Sequence, residues 1–289
     1  MKAINFMNVK KDFKEYTALS GLTAQFDQGC FYGIYGRENS GKTTLVSLAG
    51  GRIMPDSGTV LADGQPILTD DALMSEICCS AETRMYPKLL KVSAAVKAMK
   101  RLYPNFSEKY AYQLLADFKI SPDDRIKSLS DKQQPLLNAL LALSSGAEFT
   151  FLDEPVKHLD DTIRRRFYAA AAKKFESDGK TICLATQLVA ETASFITHVA
   201  MINDGRLICC CPVEFFTKNG YSVKGKRGIV DDYTIGKKVF GSVVNGERKT
   251  AFVLGVRPIS SDNHLSFSKL NLEVVFAEMT GTAESEEEN

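Results

Sequence analysis

The chain has 289 residues, 44% of them hydrophobic and 25% charged, so it can bury a sizeable core and wholesale disorder is excluded. Its 36 lysines and arginines against 35 acidic residues leave a net charge of +1, without the basic excess of a dedicated nucleic-acid binder. No apolar run reaches the length of a bilayer span, residues 1–13 lack the continuous apolar stretch of a signal peptide, and seven cysteines without framework spacing fit a reducing compartment. The expectation is one large α/β domain with a small appendix, cytoplasmic, meeting a membrane only through a partner.

Short β-branched and aromatic runs predict strands at 3–9, 21–26 and 30–35, with Asp27-Gln28-Gly29 as a hairpin turn between the last two. A helix starts at Thr44, and Ser57-Gly58, Asp63-Gly64 and Pro66 punctuate a second small β region. Apolar spacing predicts helices at 93–103 and 107–118, which makes residues 88–145 a helical insertion. Alternation then resumes: strand 149–152, helix 161–176 stopped by Ser177-Asp178-Gly179, strand 181–186, helix 188–195, strand 199–202, and a turn at Asp204-Gly205 into a strand over 206–210. Strands alternating with helices mean a mostly parallel sheet. From residue 213 the pattern changes to short strands around Asn245-Gly246 and Gly255: a small α+β piece over 213–282, then an acidic tail, 283–289.

Gly36-Arg37-Glu38-Asn39-Ser40-Gly41-Lys42-Thr43 fits G-x-x-x-x-G-K-[ST] between an apolar strand and a helix, the context a phosphate-cradling loop requires. The glycines permit a backbone curl that aims N–H groups at phosphate oxygens, and the helix opening at Thr44 adds partial positive charge. Lys42 is placed to reach the β- and γ-phosphates, and the Thr43 hydroxyl to ligate Mg²⁺. Farther on, an apolar strand ends in Asp153 and Glu154, at the strand end where α/β proteins bind ligands. Asp153 suits a Mg²⁺ held through water, and Glu154 suits a general base polarising the attacking water.

The order of these elements carries a resemblance. The loop Gly36 to Thr43, a helical insertion, Leu129-Ser130-Asp131-Lys132-Gln133 just ahead of residues 149–155, and then Leu159-Asp160 resemble the nucleotide-binding subunit of an ATP-binding cassette (ABC) transporter over residues 1–212. The resemblance implies an α/β fold: a P-loop NTPase core with a mostly parallel sheet, an antiparallel β subdomain and the helical insertion. It implies ATP and Mg²⁺ as cofactors and a head-to-tail pairing with a second nucleotide-binding subunit, identical or different, in which Ser130 of one subunit meets the nucleotide of the other. It also implies a transmembrane permease as partner, which would keep the chain peripheral on the inner face of the cell membrane. Tyr16 takes the place of the aromatic that stacks on adenine, the alternative being a plain strand-edge tyrosine. Asp160 stands in the D-loop or simply caps the following helix. Residues 272–281 resemble the closing helix of bacterial exporter ATPases encoded apart from their membrane subunits, which implies export.

Three departures from that family bear on its chemistry. The signature reads Leu-Ser-Asp-Lys-Gln in place of L-S-G-G-Q. A carboxylate at Asp131, about 4 Å from a phosphate charge, would be opposed by about 4 kcal/mol at an effective dielectric near 20, which Lys132 offsets in part. Pro135 is expected to strain the helix that follows. Gln187 occupies the place of the switch histidine and can donate a hydrogen bond to phosphate but carries no charge. The Q-loop glutamine aligns with Glu82, which is either a third contact to Mg²⁺ or a surface carboxylate. The expectation is an ATPase coupled to transport, slowed by Gln187 and Asp131. The alternative is a poorly hydrolysing regulatory subunit of a heterodimeric ABC complex.

Overall fold

The computed structural model of the chain describes residues 1–67, 70–83, 85–258 and 264–280. They divide into two compact units, Met1–Cys210 and Cys211–Asn289; the acidic tail 283–289 lies outside the described residues.

The first unit opens on two strands that alternate because one face of their sheet is buried. β1 (Ala3–Phe13) pairs antiparallel with β2 (Tyr16–Asp27), and Ile4, Phe6, Leu22 and Phe26 turn into the core. β3 (Phe31–Tyr35) is different: all five residues are buried, as in a parallel strand covered on both faces. The chain therefore changes sheets at Asp27-Gln28-Gly29. The predicted hairpin there is not formed, and the Asp27 N–H donates to the Tyr32 hydroxyl at 2.9 Å. α1 (Lys42–Ala49) begins two residues earlier than its apolar spacing suggests. β4 (Ser57–Ala62) and β5 (Gln65–Pro66) complete a four-stranded sheet in the order β2-β1-β4-β5.

After α2 (Asp71–Ser75) and the buried β6 (Ile77–Cys79) come the helices α3 (Val92–Leu102) and α4 (Glu108–Asp117), a 3-10 turn at Ile126–Ser128, and α5 (Gln133–Leu143). From Gln134 to Leu143 every residue of α5 is buried, so this helix is enclosed on all sides. Pro135 does not strain it. The proline is the third residue of the helix, where the backbone N–H has no intrahelical partner to lose. Ser130 and Gln133 cap the end reciprocally: the Gln133 N–H donates to Ser130 Oγ at 3.3 Å, and the Ser130 N–H donates to Gln133 Oε1 at 3.0 Å.

β7 (Phe149–Asp153), α6 (Asp161–Asp178), β8 (Thr181–Thr186), α7 (Val189–Thr192), β9 (His198–Asn203) and β10 (Arg206–Pro212) follow. Asp160 Oδ1 accepts the Ile163 N–H at 3.0 Å and starts α6; Gly179 ends it in the left-handed region. α7 is shorter than the 188–195 reading, and at its end the Thr192 hydroxyl donates back to the carbonyls of Leu188 and Val189 at 3.0 and 3.2 Å. The large sheet runs β10-β9-β3-β8-β7-β6, with the pairs β9-β3, β3-β8, β8-β7 and β7-β6 all parallel. One core joins the two sheets, with Phe26 edge-on to Phe151 at 5.8 Å.

The second unit comprises α8 (Glu214–Asn219), β11 (Gly220–Lys226), α9 (Arg227–Thr234), β12 (Lys238–Asn245), β13 (Arg248–Leu254), β14 (Leu265–Lys269) and α10 (Leu272–Met279). Its strands form an antiparallel sheet in the order β12-β13-β11-β14. Tyr221, Val223, Val230, Ala251 and Val253 make a small core of its own. Among the described residues no helix is long and apolar enough to cross a membrane, and no disulfide joins the seven cysteines.

Candidate nucleotide site

Three neighbouring parallel strands end level with one another. Tyr35 of β3 lies opposite Thr186 of β8, and Asp153 of β7 opposite Ala185. Their C-terminal ends carry the loop 36–41, the pair Asp153–Glu154, and Gln187. This is the rim where a parallel sheet exposes backbone groups and helix N-termini to a ligand.

The loop is held open by its lysine. Lys42 Nζ donates to the carbonyls of Gly36 and Arg37 at 2.7 and 2.8 Å, so the backbone curls around the ammonium. Lys42 is 5% exposed; burial lowers its pKa, opposed by the charges of Glu154 and Asp153. Gly41 sits at φ 106, and a Cβ there would lie 2.6 Å from the Ala18 carbonyl oxygen. Gly36 is equally confined, 2.6 Å from the carbonyl oxygen of Ile202.

Thr43 Oγ1 donates to Asp153 Oδ1 at 3.1 Å, which joins the first turn of α1 to the end of β7. Glu154 lies just past the strand at φ 40, with its N–H bonded to the Ala185 carbonyl at 2.9 Å. Its side chain is buried and Oε1 lies 3.6 Å from Lys42 Nζ, yet neither carboxylate oxygen has a hydrogen-bond partner. Burial raises its pKa, opposed by Lys42 and then Lys157.

These groups face a cleft of about 380 Å³, lined among others by Phe13, Tyr16, Glu38, Asn39, Ser40, Gly41, Lys42, Thr43, Thr44, Glu82, Glu154, Lys157 and Gln187. Tyr16 is 58% exposed and its ring stacks on Phe13, centroids 5.4 Å apart. One face of an aromatic pair is thus free to receive a flat base. Gly36 and Arg37 offer backbone but do not line the cleft wall. Ser130 and Asp131 do not line it either; both are exposed at the start of α5. Phe13, Lys157 and Asn138 carry no sequence signal of their own. Asn138, on the buried α5, donates to the carbonyls of Ala81 and Thr83 at 2.9 and 2.8 Å and fixes the loop that bears Glu82. The Glu82 carboxylate meets His158 Nε2 at 3.4 Å.

The residues fit a magnesium nucleotide. The buried Ser40 hydroxyl has no hydrogen-bond partner, the buried Glu154 carboxylate has Lys42 as its ionic partner, and Thr43 and Asp153 are bonded to one another and could both turn to a cation. Among the described residues no group of three His, Cys, Asp or Glu side chains could hold a metal by itself. Mg²⁺ keeps several waters and takes one or two protein ligands plus phosphate oxygens, and Thr43 and Asp153 can supply them.

Burial pushes the Asp153 carboxyl up to about 6, against the pull of the Thr43 hydrogen bond. The folded chain therefore binds a proton more tightly than the unfolded one, and stability falls as pH rises from about 4 through 6. Asp153→Asn is expected to melt above the parent at pH 8 in the absence of nucleotide, by a margin that shrinks below pH 6. Calorimetric melts across that range check it.

The buried strand, curled loop and helix have the geometry of a P-loop fold. A family model described as "ABC transporter" matches residues 19–157. The chain is 22% identical to the ABC transporter ATP-binding protein YtrB of Bacillus subtilis over 71% of this chain and 70% of that one. It is 23% identical to Nod factor export ATP-binding protein I of Paraburkholderia xenovorans over 96% and 97%. It is 26% identical to the energy-coupling factor transporter ATP-binding protein EcfA2 of Staphylococcus saprophyticus over 76% and 85%. Among solved structures, a dimeric bacterial ABC transporter cassette superposes with a TM-score of 0.64 at 23% identity, over 73% of this chain and 98% of that one. A nucleotide-free ATP-binding cassette gives 0.60 at 20% identity, over 74% and 93%. Residues 19–157 are therefore similar to the ABC transporter family.

Proposed function

We propose that this chain is the ATP-hydrolysing subunit of an ABC exporter. It would work as a dimer of nucleotide-binding subunits docked on a separate transmembrane permease at the inner face of the membrane. The observation that carries the reading is Glu154: a buried carboxylate in an ion pair with Lys42 at 3.6 Å, lining the same cleft as Lys42 and as Thr43, the partner of Asp153. Bound Mg²⁺ would neutralise phosphate charge, held by Thr43 and Asp153 with Glu82 nearby. Backbone N–H groups of residues 37–44 would bind phosphate oxygens, the Phe13–Tyr16 pair would stack on the base, and Glu154 would take the proton of the attacking water. The exposed Ser130 would meet the nucleotide of the second subunit. Export is supported by the end-to-end likeness to a Nod factor export protein, which includes the C-terminal unit.

Gln187 in the cleft and the exposed Asp131-Lys132 favour a second reading, a subunit that binds nucleotide, hydrolyses little and pairs with a better-equipped chain. Phosphate release measured against protein concentration separates the two. Release that grows with the square of concentration at the dilute end supports a hydrolysing homodimer. Calorimetric binding of Mg-ATP without release supports the second reading, and no binding overturns both.

A further inference from the structure

The cleft is short of positive charge. Three carboxylates line it, Glu38, Glu82 and Glu154, with Asp153 bonded to the lining residue Thr43. Two cations face them, Lys42 and Lys157. Lys42 is already committed to the carbonyls of Gly36 and Arg37 and to Glu154. Gln187, on the wall formed by the end of β8, is a neutral amide. A triphosphate entering such a site brings several negative charges into a region that already holds four carboxyl groups. Of the two, Lys157 is held by a single partner, Glu38.

Lys157 is also placed to be released. It lies three residues beyond Glu154, on the segment leaving β7, and its side chain is 23% exposed. Its ammonium pairs at 2.9 Å with Oε1 of Glu38, a residue of the phosphate loop. The Glu38 side chain is 72% exposed. An ion pair with so wet a partner contributes little, whereas a charge-assisted bond to a phosphate oxygen in a closed site is about twice as strong as a neutral hydrogen bond. Exchange of the carboxylate for a phosphate is therefore favourable.

We propose that Lys157 is a ligand of the terminal phosphate: on entry of a nucleoside triphosphate its ammonium leaves Glu38 and pairs with the γ-phosphoryl oxygens, supplying the positive charge that Gln187 lacks. This rests on the nucleotide-binding reading above and adds a triphosphate-sensing residue to it. Because the contact is to the last phosphate, it separates triphosphate from diphosphate. Glu38 serves as the parking place of the lysine while the site is open.

Titration calorimetry of the full chain with Mg-AMP-PNP and with Mg-ADP tests it, using the parent, Lys157→Met, Lys157→Gln, Lys157→Arg and Glu38→Gln. Both neutral variants at 157 are expected to weaken AMP-PNP by about 10- to 100-fold and to leave ADP within about twofold. Lys157→Arg restores most of the difference, and Glu38→Gln, which frees the lysine, binds AMP-PNP more tightly than the parent. Equal loss for both nucleotides, or no loss for either, overturns the assignment of Lys157 while leaving nucleotide binding intact. A parent chain that binds neither nucleotide overturns the nucleotide-binding reading itself.

Discussion

Replacing Glu154 by glutamine is expected to lower steady-state phosphate release by at least about 100-fold while leaving Mg-ATP affinity within about threefold. Glutamine keeps the size and planarity of the side chain, so the backbone turn at φ 40 and the bond from its N–H to Ala185 are undisturbed. What it removes is the capacity to take a proton. In the parent, Glu154 is buried and raised in pKa by that burial, against the pull of Lys42, which makes it a stronger base than an exposed carboxylate. The same shift predicts that turnover in the parent falls on the acid side as Glu154 becomes protonated. Stopped-flow detection of phosphate, with binding measured separately, gives both numbers. Equal release by the two proteins would remove Glu154 from the chemistry and with it the hydrolysing reading.

A single methyl group at Gly41 is expected to be nearly as damaging, by a different route. At φ 106 the backbone is in a region that L side chains rarely adopt, and the added Cβ would fall 2.6 Å from the Ala18 carbonyl oxygen and 2.7 Å from Leu19 Cδ2. Strain of about 1–3 kcal/mol and overpacking of similar size add together, since neither β2 nor the loop can yield without opening the curl around Lys42. For a unit of this size the melting temperature of Gly41→Ala should fall by roughly 5–15 °C, and nucleotide binding should be lost with the curl. Gly64→Ala is the matched control: Gly64 has φ 81, and nothing lies within 4 Å of its would-be Cβ. That variant feels strain alone and should lose less than half as much. Equal losses would mean that the contact with Ala18 is not what confines the loop.

The fold was legible where physics acts over short sequence distances. The unbroken apolar runs of β3, β7 and β8 announced a sheet covered on both faces, and the glycines and lysine of residues 36–43 announced the loop at its rim. The hairpin read at Asp27–Gly29 failed because turn chemistry says where a chain reverses, not which sheet it then joins. The strain read into Pro135 failed for a local reason: the helix begins close enough to it that no backbone bond is forfeited. Phe13, Asn138 and Lys157 were invisible because each acts on a partner set by tertiary contact. The Lys157–Glu38 pair spans 119 positions and Asn138 reaches back 57. Spacing arguments see residues that share a turn or strand end; they do not see two walls of a cleft closing on one another.

The amide of Asn138 has a mechanical consequence. It grips two carbonyls of the segment carrying Glu82, one on each side of that residue, and the helix that holds it is sheathed in neighbours along nearly its whole length. The acidic lip and the rod behind it are therefore coupled without slack. A displacement of the lip would therefore be felt directly by α5, through the Asn138 amide.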